Sequence, residues 1–143
     1  MKRPYPLRHP ITAALISMFV ATLSSGCAKQ EFKTALVSGH CTCKGEPMTA
    51  GLLILAPVDE SGSDKPTTNL GKPAQALIQS DGSFTMSTYG KDDGAVVGKH
   101  RVVLNLAVLD EDDPKQPCLK VAKDLIVEVE PGENDLEIDL AGK

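Results

Sequence analysis

The 143-residue chain has no tryptophan, three phenylalanines and two tyrosines, so aliphatic side chains must build its core. Histidine is equally scarce, at three residues, and only His40 and His100 lie beyond the first 26 positions. No serine sits in a nucleophile-elbow context, so a nucleophile–histidine pair has few residues to draw on. Basic residues are outnumbered, 15 against 19 acidic. Because nucleic-acid binding depends on neutralising phosphates with Lys and Arg, that balance disfavours a polynucleotide partner, and none is expected. There is no amphipathic helical pattern, no internal repeat and no apolar run long enough to span a bilayer comfortably.

The longest apolar run is Ile11 to Leu23 (ITAALISMFVATL), preceded by Lys2, Arg3 and Arg8. A basic start followed by a short apolar stretch is the pattern of an export signal. The run ends Leu23-Ser24-Ser25-Gly26-Cys27. This resembles a bacterial lipobox, in which small residues precede the cysteine that receives diacylglycerol. Residues 1–26 are therefore expected to be a lipoprotein signal peptide, with Cys27 as the lipidation site. A plain signal peptide with Cys27 as an ordinary thiol is the alternative. Removal of residues 1–26 would take away three basic and no acidic side chains, leaving 12 basic against 19 acidic residues and a formal charge of −7. Such a surface has no polybasic attraction for anionic lipid, so the anchor must supply membrane attachment. Residues 27–35 are read as lipidated cysteine and tether, and 36–143 as one domain.

Within 36–143 the apolar residues alternate as they do in strands with one buried face. Strand-like segments fall at 36–44, 51–57, 73–79, 83–88 and 98–109, followed by segments centred on Val127 and Ile138. In the fifth, Val102, Leu104, Leu106 and Val108 share one face. Leu136, Ile138 and Leu140 alternate with Asp135, Glu137 and Asp139, which gives the last strand a wet face. Turn chemistry separates the segments: Gly45-Glu46-Pro47, Asp81-Gly82, the glycine-bounded stretch Gly94 to Gly98, and Pro131-Gly132-Glu133-Asn134. Phe84 and Met86 follow Asp81-Gly82 at core-facing positions. The expected fold is an all-β, seven-stranded antiparallel Greek-key sandwich after the signal peptide, with a partly open barrel as the alternative.

The order of Val37-Ser38-Gly39, Lys44-Gly45-Glu46-Pro47-Met48, Asp81-Gly82-Ser83-Phe84, Asp93 to Val102, Leu125 to Val129 and Pro131-Gly132-Glu133-Asn134 resembles the carboxypeptidase regulatory-like domain. That domain is a transthyretin-like (prealbumin-like) sandwich of small bacterial lipoproteins, and the resemblance covers most of residues 36–140. It implies that Gly45 and Pro47 turn the chain between the first two strands, and that Asp81 and Gly82 plant Phe84 in the core. It also implies a domain that is not an enzyme and needs no cofactor, one that serves structure or protein contacts. Val96 and Val97 stand where the family usually carries prolines. The related hydroxyisourate hydrolases end in Tyr-Arg-Gly-Ser, which the terminal Leu140-Ala141-Gly142-Lys143 does not match.

His40-Cys41-Thr42-Cys43 is the constellation that most suggests metal chemistry, since thiolates and imidazole suit Cu(I) or Zn(II). In a strand, however, Cys41 and Cys43 share one face and His40 points to the other. Two cysteines at that spacing cannot bond to each other without strain. Outside the cytoplasm either Cys41 or Cys43 could instead pair with Cys118. A copper or zinc protein using Cys41, Cys43 and Cys118 is the alternative function. The acidic clusters Lys91-Asp92-Asp93 and Asp110 to Asp113 lack the ligand spacing of an EF-hand and read as solvated loops. The expected protein is a cell-envelope lipoprotein, membrane-anchored through Cys27 on the outer membrane where one exists, with an envelope protein partner.

Overall fold

The computed structural model describes residues 32–59, 70–109 and 116–142. The expected signal peptide, Cys27, the Asp110–Asp113 cluster and most of the polar loop after Val58 lie outside the described residues. Among the described residues nine strands follow in chain order: β1 (Thr34–Cys43), β2 (Glu46–Pro47), β3 (Leu52–Pro57), β4 (Ala74–Leu77), β5 (Ser83–Thr85), β6 (Ala95–Val96), β7 (Gly98–Asn105), β8 (Ile126–Val129) and β9 (Glu133–Asp139). The described residues contain no helix, and residues 31–143 form one compact unit.

β1 is the axis of the first sheet. Ala35, Val37, Cys41 and Cys43 are buried while Leu36, Ser38 and His40 are exposed, the alternation of a strand with one wet face. Along one edge β1 pairs antiparallel with β6, then β5, then β2, and along the other it pairs with β9. The second sheet runs β4-β3-β7-β8, antiparallel throughout. Both sheets contribute to a common core that holds Val37, Leu53, Leu55, Met86, Val102 and Ile138. Phe84 is 3% exposed and Met86 fully buried.

This architecture departs from a seven-stranded antiparallel arrangement. β9 runs parallel to β1, in a register from Leu36↔Glu133 to Thr42↔Asp139. The segment Pro131 to Asn134 therefore does not close a hairpin: β8 pairs with β7 in one sheet and β9 with β1 in the other. Asn134 holds this crossing in shape, accepting from Glu130 N at 2.9 Å and donating to Glu130 O at 2.9 Å and Leu36 O at 3.3 Å. The two extra strands, β2 and β6, are two-residue pairings on β1. β1 also starts earlier than the tether boundary at residue 35 allowed, because Ala35 is buried opposite Ala95. β7 stops at Asn105, short of Leu109, and Val108 is exposed.

The turns follow local chemistry. Lys44 and Gly45, with φ of 54° and 84°, form the two-residue connection between Cys43 and Glu46, as the right-handed twist of a hairpin prefers. Pro47 lies within β2, opposite Thr42. At Asp81-Gly82, Gly82 N donates to Gln79 O at 2.9 Å, and the Asp81 carboxylate accepts from Ser83 N at 2.9 Å and Ser83 Oγ at 2.6 Å. Those bonds, the Ser83 hydroxyl first, hold the Asp81 carboxyl below the usual carboxylate range.

Candidate functional site

Four groups of side chains could carry chemistry. The first is the cysteine end of β1. Cys41 and Cys43 are buried on the inner face, and Cys43 is bonded to Cys118 with a Cα–Cα distance of 5.7 Å. Gln116 ties the same segment down a second time by accepting from Thr49 N at 2.9 Å and Ala50 N at 3.2 Å. Cys41 keeps a free thiol, which burial first, and the Asp139 charge second, push up to about 12. A thiol so protonated is a poor nucleophile and a poor ligand. His40 points outward, its Nδ1 3.6 Å from the Glu137 carboxylate. Of the alternative metal donors only Cys41 retains a thiol, so a metal there requires the reduced protein. Among the described residues no group of three His, Cys, Asp or Glu side chains is placed to hold a metal ion.

The second group centres on His100, which is fully buried inside β7. Its Nε2 lies 2.6 Å from Val96 O and its Nδ1 3.3 Å from Leu55 O. The ring thus links β3 to β6 from a buried position within β7. Its parity with Val102 along β7 was the signal in the sequence that it faces inward.

The third is Asp93. Its Oδ1 accepts from Thr88 N at 2.7 Å and its Oδ2 from Gly90 N at 2.8 Å and Tyr89 N at 3.0 Å. Partial desolvation raises the pKa of this carboxyl, but the bonds from Thr88, Gly90 and Tyr89 together outweigh it and hold the group below the usual range. A carboxylate with both oxygens engaged by its own loop is a folding device. Gly94, the next residue, has φ of 81° and faces the Ala35 carbonyl at a separation that leaves no room for a Cβ. Gly98 also has positive φ, 131°, but its Cα faces open space.

The fourth is the outer surface across the first sheet and the β4–β5 corner. β4 and β5 meet through Gln79 N to Ser83 O at 2.8 Å and reciprocal 2.9 Å bonds between Gln75 and Ser87. Between these ties Leu77 and Thr85 face each other without pairing, and the ladder opens into a groove of about 810 Å³. Ser38, Ser83 and Thr85 line it together with His40, Asp92 and Asp135. Beyond it the outer face of β9 carries Glu133, Asp135 and Glu137, all exposed. The groove is of mixed character, with Leu52, Leu77 and Phe84 among its lining, and this surface, missed as a unit by sequence reasoning, joins residues far apart in the chain. No protein-family model, no curated protein and no solved structure matches the chain.

Proposed function

We propose that this protein is a non-catalytic cell-envelope lipoprotein, anchored through Cys27, whose transthyretin-like Greek-key sandwich serves as a structural or protein-binding module. The observation that carries the reading is that Cys43, Cys118, His100 and Asp93 are engaged in the domain's own construction. Cys43 and Cys118 are bonded to each other, His100 spans two backbone carbonyls, and Asp93 organises its loop. The disulfide suits an exported, oxidising setting, and the exposed surface of the first sheet remains for contacts. The test has two parts. Mass spectrometry of the mature protein should find an acylated N-terminal Cys27, and globomycin should block its processing. Crosslinking in intact envelopes should then recover a specific protein partner. A mature form without acyl chains would end the lipoprotein reading.

A further inference from the structure

Among the described residues, one edge of β9 has no strand partner. Leu36 N donates to Gly132 O at 3.1 Å and Leu140 N to Thr42 O at 2.8 Å. In the parallel register these bonds, and those between them, engage the even-numbered residues of β9 with β1. The N–H and C=O groups of Glu133, Asp135 and Glu137 point the opposite way. β9 pairs with no other described strand. Asp139 differs, because its carboxylate already accepts from Lys44 N and Ala141 N and its carbonyl from Gly142 N.

The side chains beside this edge specify what can lie against it. Glu133, Asp135 and Glu137 recur every second residue on the outer face, about 7 Å apart at a strand's rise per residue. His40, close to Glu137, is the basic group paired with them. On the other face Leu136 is half-buried against the core. A second copy of this chain pairing edge to edge would set carboxylate against carboxylate, which opposes association. An added strand with cations on one face and apolar residues on the other would match both faces.

We propose that the β9 edge at Glu133–Glu137 accepts an extended segment of another protein by strand addition, the segment alternating basic and apolar residues. The backbone groups of Glu133, Asp135 and Glu137 supply the hydrogen bonds, and the three carboxylates select the cations. This deepens, and rests on, the reading of the domain as a protein-binding module.

The probe is a capped heptapeptide, Lys-Val-Lys-Val-Lys-Val-Lys, titrated by fluorescence anisotropy into the full chain in neutral detergent at low salt. Two controls accompany it: the same peptide N-methylated at alternate residues, which keeps charge but loses one hydrogen-bonding edge, and the glutamate analogue. Binding is expected for the first peptide alone, weakened tenfold or more in the Asp135→Lys/Glu137→Lys variant. Slowed amide exchange is expected at Glu133, Asp135 and Glu137. Equal binding of the N-methylated peptide would reduce the edge to a charged surface and overturn the proposal, as would absence of binding or unchanged exchange at the three amides. If the peptide fails while envelope crosslinking still recovers a partner, strand addition at β9 is wrong and the binding-module reading stands. If both fail, both readings fall.

Discussion

Gly39, in the middle of β1, lies so close to Leu136 of β9 that a Cβ on Gly39 would overlap the Leu136 carbonyl. Its φ of 154° belongs to a backbone that L side chains rarely adopt. The parallel pairing that completes the first sheet therefore depends on the missing side chain. Gly39→Ala should destabilise by about 2 kcal/mol or more through backbone conflict. Urea unfolding measures this, and a neutral substitution would mean that β9 docks elsewhere.

Phe84 stands opposite Gly39 in the neighbouring strand and is the one phenylalanine of the central core cluster. Phe84→Ala should cost about 3 to 5 kcal/mol, combining lost transfer energy with a cavity. A loss below about 1 kcal/mol would place the ring outside the core.

The Cys43–Cys118 bond spans 75 residues. On the chain-entropy model a loop of that size stabilises by about 4 kcal/mol. Cys118→Ser should lose stability of that order, whereas Cys41→Ala should leave the bond intact. Alkylation of the unfolded, unreduced protein should label one thiol within residues 31–143, at Cys41. Labelling of three would contradict the bond.

Asp93 should contribute to the acid limb of the stability curve. Its folded-state pKa is lowered, so the stabilisation is fully present above the ordinary carboxylate value of 3.8 and is lost as pH falls through the lowered value. Asp93→Asn should flatten the fall of stability below the ordinary carboxylate value relative to the parent, read from thermal melts at stepped pH. An unchanged acid limb would show that the loop bonds do not depend on the charge.

Much of this was legible locally. The alternation around Val37, Phe84, Val102 and Ile138 marks which residues face inward, because side-chain direction in a strand reverses at each residue whatever the strand pairs with. Asp81-Gly82 and Lys44-Gly45 mark turns through their own backbone preferences. His100 was harder to place, since a histidine reads as polar until the carbonyls of Leu55 and Val96 are brought to its two nitrogens.

The sequence by itself determined an all-β chain, the inward and outward faces of its strands, and the acidic character of its last strand. Tertiary structure alone decided that β9 lies parallel to β1, that Cys43 rather than Cys41 meets Cys118, and that Glu133, Asp135 and Glu137 border an open edge. Cys41 and Cys43 share one face and differ by a single repeat of the strand, so only the placement of residues 116–122 distinguishes them. Strand partners are likewise chosen by contacts between residues about a hundred positions apart, and no local preference encodes which edge is left open.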